Sequence, residues 1–453
     1  MSKHILRSTM LDVLLRIDAG GFSHLLIDHQ IKAKHIDPKD EALLTEVVYG
    51  TVQRKLTLDY AVSHFAKQPD KLKPWVRALL RMSMYQMVYL DRVPDHAVIH
   101  EAVEIAKERG HKGIASLVNG VLRSVQREGM PSASDIADPV KRLSIETSHP
   151  EWLVKRWIEQ YGQETARRMC ESNLVKKPLA VRVQPLRISR EEAIRRLKEE
   201  GYETSESLLS EQGIIIEKGN VLRSELFKKG MLTVQDQSSM LVAEMLDLEP
   251  GYTVLDACSA PGGKTTHIAE KMHDEGTVCA FDIHEKKAKL VTRKAEELGL
   301  SIIEAKGYDA RKLGEQFADE TFDRILVDAP CSGLGVARGK PDIKYSKREE
   351  DIYSLAQIQA TILSSVAPLL KKTGKMVYST CTVDKTENEE VVRRFLTDHP
   401  DYQLDESFFD ELPAVLQGSP GLSQYGLQLF PQTLDTDGFF LVRFVRKAGS
   451  VNN

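Results

Sequence analysis

The chain has 453 residues, of which 42% are hydrophobic and 28% are charged, as is ordinary for a globular protein of about two to four domains. It contains no apolar run of membrane length and no signal-peptide pattern, so we expect a cytoplasmic protein that has no membrane partner. None of the five cysteines is paired at CxxC spacing, which disfavours a zinc site and a disulfide framework, and we expect no metal.

Charge is distributed unevenly along the chain. Residues 1–127 carry 19 Lys and Arg against 14 Asp and Glu, residues 141–230 carry 18 against 14, and residues 231–453 carry 25 against 35. Basic segments ahead of an acidic one suit a protein whose appendages hold a polyanion while the acidic domain performs chemistry. Differences of a few charges are also common on solvated surfaces, so the pattern is compatible with both interpretations.

Residues 1–127 predict an all-α bundle, because apolar residues recur at helical spacing throughout. The segment HAVIHEAVEIAKERGHKGIASLVNGVLR, residues 96–123, resembles the helical RNA-binding domain of the NusB antitermination family. That resemblance implies RNA binding. Six basic residues of this region could contact phosphates, although each could instead lie on an ordinary solvated face. They are Arg54, Lys55, Lys71, Lys73, Arg77 and Arg81.

A second, smaller region follows the bundle. Residues 128–140 are typical of a polar linker with two prolines, and residues 141–230 predict a small α+β module. Ser189 and Glu192 form a capping box at the start of an amphipathic helix that we expect over residues 189–200. Helices are also expected over 150–161 and 163–170, and strands over 180–186 and 213–217.

Residues 231–447 predict a Rossmann-like α/β domain, followed by a tail over 448–453, because strands and helices alternate as in a mostly parallel sheet. The most informative segment is VLDACSAPGGKTT, residues 254–266. An apolar strand ends there in Asp256, small residues and Pro-Gly-Gly follow, and Lys264 can open a helix. A strand, a tight glycine turn and a helix form the first crossover of a doubly wound sheet, where a nucleotide-like ligand binds at the carboxyl end of the strand.

Two better-known nucleotide-binding loops are excluded at this position. A Walker A loop requires glycine where Cys258 stands, so Gly263-Lys264-Thr265 is only a fragment of that motif. The GxGxxG pattern of dinucleotide-binding proteins is absent from this loop. An acid at the strand end fits a ligand with an adenosine and no phosphates, such as S-adenosylmethionine. An ordinary βα turn is the alternative interpretation.

Three strands of this domain end in an acid, at Asp256, Asp282 and Asp328. In an open α/β sheet all three carboxylates would line the ligand crevice. Asp282 follows Asp256 at roughly the separation of a ribose-binding acid from the first crossover. Asp309 lies in a loop where it could face an adenine amino group or simply cap a helix.

Two cysteines also end strands, Cys331 in DAPCSG and Cys381 in STCT. A thiol at the mouth of a methyl-donor site has a specific use, because cytosine C5 becomes nucleophilic only after a thiolate has added to C6. A nearby acid such as Asp328 can hydrogen-bond the base and stabilise the charge that develops on it. Either cysteine alone could be a small buried hydrophobe, the interpretation that we favour for Cys170 and Cys279.

Several motifs occur together, namely DACSAPGGKT, DAPCSG, STCT, PDIKY (residues 341–345) and TDGFF (residues 436–440). In this order they resemble the motifs of the RNA cytosine-5 methyltransferases of the NOL1/NOP2/Sun family. The NusB-like segment and SHPEW, residues 148–152, point to the bacterial Sun branch, and the resemblance covers nearly the whole chain. It implies S-adenosylmethionine as cofactor and a cytosine of small-subunit (16S) ribosomal RNA as substrate. We expect no obligate protein partner, since none is evident from the sequence.

The same resemblance implies roles for individual residues. Cys381 is the implied nucleophile, Cys331 is implied to assist product release, and Lys340 and Lys344 are implied to hold the target strand. Cofactor contacts, some of which also reach the base, are implied for Cys258, Ser259, Ala260, Pro261, Gly262, Gly263, Lys264, Asp282, Asp309 and Asp328. A Pro-Cys pair is the nucleophile motif of DNA cytosine-5 methyltransferases, so the residues alone leave the order of the two thiols open.

Two other functions remain compatible with the sequence. The first keeps the chemistry and directs it to transfer RNA. The second is a non-enzymatic RNA-binding antitermination or assembly factor with a degenerate methyltransferase fold, which the NusB-like segment suggests. The intact glycine loop and the two strand-end cysteines argue against this second function.

Overall fold

The computed structural model describes residues 5–33 and 36–447. Within these ranges the chain forms two compact units. The helical unit comprises the residues up to 176 together with 337–348, and the sheet unit comprises 177–336 and the residues from 349 on. The tail predicted over 448–453 lies outside the described residues. Among the described helices, none combines the length and the apolar composition that a membrane span requires.

The helical unit confirms the predicted all-α bundle. Its first ten helices are α1 (Ile5–Asp18), α2 (Ser23–Ala33), α3 (Pro38–Gln53), α4 (Lys55–Phe65), α5 (Pro74–Tyr89), α6 (Asp95–Arg109), α7 (Lys112–Glu128), α8 (Pro139–Thr147), α9 (Glu151–Tyr161) and α10 (Gln163–Ser172). Helix α5 is buried along most of its length and packs against α1, α3, α4, α6 and α7. An α-helix that is apolar almost all round must be covered on all sides, which explains its central place in the core.

Helices α8–α10 belong to the helical unit, whereas the sequence placed them in the small module that was expected over 141–230. Hydrogen bonds tie them to the bundle: the Leu56 amide donates to Ser148 Oγ at 2.7 Å, and Thr57 Oγ1 donates to the Ile145 carbonyl at 2.6 Å. Asp138 caps α8 by accepting from the Val140 amide at 2.8 Å, so the linker becomes helical at Pro139. The boundary between the units therefore falls after residue 176.

The sheet unit begins with the predicted small α+β module. Its elements are β1 (Leu179–Val183), α11 (Arg190–Glu199), β2 (Glu203–Glu206), β3 (Gly213–Lys218), α12 (Glu225–Lys228) and β4 (Leu232–Val234). The four strands form an antiparallel sheet in the order β2-β3-β1-β4. Ser189 Oγ accepts from the Glu192 amide at 3.2 Å, as expected of a cap at the start of α11.

The larger part of the sheet unit confirms the predicted α/β domain. Its elements are α13 (Gln237–Glu244), β5 (Thr253–Asp256), α14 (Gly263–Lys271), β6 (Thr277–Asp282), α15 (Glu285–Leu298), β7 (Ile303–Gly307), β8 (Phe322–Asp328), α17 (Glu349–Val366), β9 (Leu370–Thr380), α18 (Glu389–Asp398), β10 (Tyr402–Leu404), α19 (Ser407–Glu411), β11 (Leu422–Ser423), β12 (Gly426–Leu429) and β13 (Phe439–Arg446). Between β8 and α17, the short helix α16 (Ile343–Ser346) is part of the helical unit.

The strand order of the large sheet sets the position of the site. The order is β11-β12-β13-β9-β8-β5-β6-β7, with β10 beside β13. Strands β5 to β9 are mutually parallel, and β13 continues the sheet antiparallel to β9. The direction of chain progression reverses between β5 and β8, and a crevice opens outside the carboxyl ends of strands at such a switch point. Asp256 and Asp328 end these two strands.

Candidate active site

The loop between β5 and α14, residues 257–262, is held close to the neighbouring strand. The Ser259 amide donates to the Phe281 carbonyl of β6 at 2.7 Å. Gly262 has a φ of +105°, and a Cβ at this position would lie 3.1 Å from the Val291 Cα, so both backbone conformation and space require glycine. A Cβ on Gly263 would meet nothing within 4 Å, so the backbone next to Gly262 borders open space.

Asp256, at the end of β5, is fully buried beneath this loop. Its Oδ2 accepts from Thr265 Oγ1 at 2.7 Å, whereas its Oδ1 has no hydrogen-bond partner in the described chain. Burial raises the pKa of Asp256 to about 7, with a smaller contribution from the nearby Asp328 carboxylate. A buried carboxyl oxygen without a donor is unusual, and it is suited to a ligand that brings a donor of its own.

The two other predicted cofactor acids occupy different surroundings. Asp282 Oδ1 accepts from the His284 amide at 2.9 Å, and the side chain of Ile283 beside it is 59% exposed. Asp309 starts a short turn, where it accepts from the Arg311 amide at 3.0 Å and forms an ion pair with the Arg311 guanidinium at 2.6 Å. The hydrogen bond from Arg311 lowers the pKa of Asp309. In this structure Asp309 therefore acts as a cap.

The two strand-end cysteines lie together. Strands β8 and β9 pair in parallel with Asp328 opposite Ser379, so the segments that follow both strands leave the sheet at the same edge. The Sγ atoms of Cys331 and Cys381 are 3.3 Å apart. The Gly335 amide donates to the Cys381 carbonyl at 3.1 Å, which joins the two segments through the backbone.

An ammonium and a carboxylate lie beside the thiols. Lys264 Nζ donates to Asp328 Oδ2 at 2.7 Å, and Ser379 Oγ donates to Asp328 Oδ1 at 2.8 Å. Burial lowers the pKa of Lys264, but the Asp328 charge and a further contribution from Cys381 outweigh it, so the pKa is raised and the ammonium is retained. Lys264 Nζ also lies 5.1 Å above the ring of Phe439, in the TDGFF motif.

The thiols differ in their electrostatic surroundings. The hydrogen bond to Cys381, followed by burial, raises the pKa of Cys331 well above its usual range, so Cys331 keeps its proton. Cys381 lies close enough to Lys264 to contribute to the raised pKa of that ammonium, so a positive charge faces this thiol. One thiol can thus donate a proton while the other adds to an electrophilic carbon.

The structure separates the two lysines of the PDIKY region. Lys340 is exposed, as a contact to a nucleic-acid strand requires. Lys344 is fully buried in the helical unit, and its Nζ donates to the Gln53 carbonyl at 2.9 Å. The expectation that Lys344 holds the target strand does not fit this position, because its ammonium has no exposed face to offer to a phosphate.

Sequence reasoning missed Glu387, which lies in TENEE shortly after Cys381. Glu387 Oε1 accepts from the Ser332 amide at 2.8 Å and from Gln359 Nε2 at 3.0 Å. Burial raises the pKa of Glu387 to about 7. An acid in a run of acidic residues usually indicates a solvated helix start, so no local pattern indicates that Glu387 is buried.

Cys170 and Cys279 are buried, and burial raises the pKa of both thiols. In the described part of the chain, no group of three or more His, Cys, Asp and Glu side chains is arranged to hold a metal ion.

Comparisons with known proteins match three segments of the chain, one of which crosses the boundary after residue 176. Residues 243–445 match the family model described as 16S rRNA methyltransferase RsmB/F, residues 4–127 match the NusB family, and residues 149–222 match the ferredoxin-like domain of RsmF/B-like methyltransferases. The chain is 49% identical to the probable ribosomal RNA small subunit methyltransferase B of Bacillus subtilis, covering 99% of this chain and 100% of that one. It is 35% identical to the ribosomal RNA small subunit methyltransferase B of Serratia proteamaculans, covering 91% of this chain and 92% of that one.

Solved structures show the same architecture. The crystal structure of PH0851 is 26% identical in sequence and superposes with a TM-score of 0.81, covering 98% of this chain and 99% of that one. A methyltransferase homolog protein from Pyrococcus horikoshii is 27% identical with a TM-score of 0.58, covering 69% of this chain and 100% of that one.

Proposed function

The chain belongs to the RsmB/F family of 16S rRNA methyltransferases, and from this membership we propose that it methylates C5 of a cytosine in 16S rRNA through a covalent bond between Cys381 and C6. It is an enzyme that depends on S-adenosylmethionine. The observation that carries the proposed mechanism is the pair of thiols 3.3 Å apart, beside the Lys264–Asp328 ion pair.

The residues at the carboxyl edge of β5 and β6 fit S-adenosylmethionine, which supplies an electrophilic methyl group when bound. The open backbone at Gly263 allows close approach to a ligand, and the partnerless Asp256 Oδ1 can accept from an ammonium group. Asp282 is suited to ribose hydroxyls and the exposed Ile283 to the face of an adenine ring. Asp309 would contact the adenine amino group only after its ion pair with Arg311 opens.

The rest of the cofactor loop contributes mainly through its backbone. Cys258 is largely buried, and burial raises the pKa of its thiol well above the usual range, so we propose no chemistry for it. Ser259 is tied to β6, and Ala260 and Pro261 complete the turn before Gly262. These residues shape the cradle, and Lys264 carries the only charge between Cys258 and Thr265.

The proposed chemistry begins with the addition of the Cys381 thiolate to C6 of the cytosine. The addition converts C5 into an enamine carbon that can take the methyl group. Asp328 is placed to hydrogen-bond the base edge while charge builds there, and Lys264 holds the Asp328 carboxylate in place. Transfer of the C5 proton to solvent water then breaks the bond between C6 and Cys381 Sγ and restores the double bond between C5 and C6. Cys331, which keeps its proton, can protonate the departing thiolate and so free the product.

The RNA must offer an unstacked cytosine, because a duplex buries C6 between neighbouring bases. The names of the relatives support small-subunit ribosomal RNA as the substrate, and we infer a cytoplasmic enzyme because bacterial ribosomal RNA is found there. Lys340 is an exposed candidate for a phosphate contact. No protein partner is required by this chemistry.

Trapping of the covalent intermediate tests the proposal. Cys331→Ala should accumulate a protein–RNA adduct on a denaturing gel with S-adenosylmethionine and undermethylated 16S rRNA, because addition proceeds while release is impaired. Cys381→Ala should give none. An adduct in Cys381→Ala alone would reverse the two roles. Adduct formation with transfer RNA and none with 16S rRNA would redirect the substrate, and no adduct with either RNA would contradict covalent catalysis.

A further inference from the structure

A fully buried arginine of the small module, Arg182, binds the helix that follows the cofactor loop. Arg182 lies on β1, where its Nε and Nη2 donate to the two carboxylate oxygens of Glu270 at 2.7 and 2.8 Å. Nη1 also donates to the Gly263 carbonyl at 2.7 Å, and Nη2 donates to Thr266 Oγ1 at 3.0 Å. A further Nη1 donor goes to the side chain of Gln235.

This guanidinium spans α14 from its first residue, Gly263, to Glu270 near its end. Arginine has five N–H donors in a rigid plane, and Arg182 directs them to several acceptors at once. Lysine has a single nitrogen on a flexible chain and cannot hold the Glu270 carboxylate in a bidentate geometry while it also reaches the Gly263 carbonyl.

Stability alone does not account for this arrangement. Burying an ion pair removes two charges from water, and well-packed apolar side chains of similar volume are often as stabilising or more so. Apolar side chains cannot, however, bind the Gly263 carbonyl and the Thr266 hydroxyl. These two groups lie where the loop 257–262 turns into α14, so their positions set the path of the loop backbone.

We propose that Arg182 is a positioning residue for the cofactor loop, which it holds in the conformation that binds S-adenosylmethionine. The inference rests on the proposed assignment of residues 258–264 as the cofactor loop. Displacement of a binding group by about 1 Å can weaken its action by up to ~100-fold, so a residue that fixes the loop acts on cofactor affinity without touching the cofactor. The small module thereby contributes to cofactor binding as well as to the fold.

The test is calorimetric binding of S-adenosylhomocysteine to the full-length protein. Arg182→Met combined with Glu270→Gln removes both charges of this buried pair. In the wild type Gln212 Nε2 donates to Glu270 Oε2 at 3.0 Å, and the amide oxygen at position 270 of the variant can still accept this hydrogen bond. We expect a melting temperature close to that of the wild type, an unchanged KM for RNA, and a Kd for S-adenosylhomocysteine weakened by roughly tenfold or more.

The sheet unit offers a matched control. Arg443 on β13 is equally buried, and it donates to Asp405 Oδ2 at 2.6 Å and to the Met245 carbonyl at 2.9 Å. Arg443→Met combined with Asp405→Asn removes a comparable buried pair that does not bind α14. The Kd of this variant should stay within about twofold of the wild-type value, since loss of a buried pair elsewhere leaves the cofactor loop in place.

Three results would overturn the inference: wild-type affinity in the folded double variant, equal weakening in the control, or a raised KM for RNA alone. If the double variant does not fold, Arg182→Lys replaces it, because lysine keeps the charge beside Glu270. Weakened binding of S-adenosylhomocysteine by Arg182→Lys would support the inference, and unchanged binding would overturn it. Asp282→Asn tests the loop assignment itself. Unaltered binding in Asp282→Asn would count against the proposed site, whereas weakened binding there with normal binding in the Arg182 variants would reject only the role of Arg182.

Discussion

Two motif lysines, one in each unit, differ in burial and in the group that the ammonium contacts: the Lys264 side chain is 14% exposed, and Lys344 is fully buried. Lys264 in the sheet unit donates to the Asp328 carboxylate at 2.7 Å, and its pKa is raised because this charge outweighs burial. Lys344 in the helical unit donates to the Gln53 carbonyl, and burial lowers its pKa to about 7. Both stand in motifs that implied function. The comparison shows that a neighbouring carboxylate keeps a motif lysine protonated. A buried lysine beside a carbonyl lacks this compensation, and its charged form destabilises the fold.

The largest effect is expected for Lys264→Met. The substitution removes the ammonium that faces Cys381 and holds Asp328, so the thiolate loses its favourable partner and the carboxylate its anchor. Removal of one preorganised electrostatic group typically lowers kcat by about 100- to 1,000-fold. We expect a loss of this size in single-turnover methyl transfer, measured with radiolabelled S-adenosylmethionine.

Lys271→Met is the control for that experiment. Lys271 lies at the end of the same helix and forms an ion pair with Glu244 at 2.7 Å. Partly exposed ion pairs contribute little, so the control should keep kcat within about twofold. Equal losses in both variants would mean that the helix, and not the ammonium at its start, responds to the substitution.

The sequence predicted those parts of the site that depend on local order. Strands that end in Asp256, Asp282 and Asp328, and thiols that follow two strands, meet at one edge because parallel strands share a direction. The Sγ atoms of Cys331 and Cys381 lie 3.3 Å apart because β8 and β9 are neighbours in the sheet. Predicting this distance requires the strand order, which local patterns do not contain.

Other features could not be predicted from local sequence patterns, because they join segments that are distant along the chain. The Arg182–Glu270 pair links residues 88 positions apart, and neither residue belongs to a recognisable chemical motif. The burial of Lys344 depends on how the segment 337–348 packs in the helical unit, far along the chain from Gln53. Hydrophobic periodicity carries no information about such partners, since it reports one element at a time.

The second prediction concerns Lys344→Met and the stability of the helical unit. Near pH 6 the folded wild type must either bury the charge of Lys344 or release its proton, and both cost free energy. Methionine has no charge to bury, so we expect the variant to be more stable by about 1–4 kcal/mol. Between the folded pKa of about 7 and the unfolded value of ~10.4, the unfolded state binds more protons. Wild-type stability therefore rises across this range relative to the variant, and the difference should shrink.

Urea unfolding of both proteins at several pH values from about 6 to about 9 measures that difference. A difference that does not change with pH would contradict the assigned titration of Lys344. The KM for 16S rRNA supplies an independent comparison: a KM that rises several-fold in Lys344→Met would favour the contact with the target strand that the motif implied, and an unchanged KM would favour the buried role seen in the structure.

The smallest effect is expected for Glu387→Gln, which extends the comparison to a buried acid. The folded pKa of Glu387 is about 7, above its unfolded value of ~4.3, so the folded state binds more protons between these values. This group's contribution to stability is complete below about pH 4 and is lost as the pH rises through 7. Glutamine keeps an acceptor for the Ser332 amide without titrating, so the stability of the variant should fall less than that of the wild type from about pH 5 to 8.

Methyl transfer by Glu387→Gln should stay within about threefold of the wild-type rate at neutral pH, because the backbone beside Cys331 keeps its acceptor. Parallel stability profiles for the two proteins would show that Glu387 does not titrate in this range. A large loss of rate with the expected change in stability would instead mean that the carboxylate acts on the thiols directly. Glu387 would then resemble Lys264, whose charge we propose to serve the chemistry, and not Lys344, whose buried charge disfavours folding.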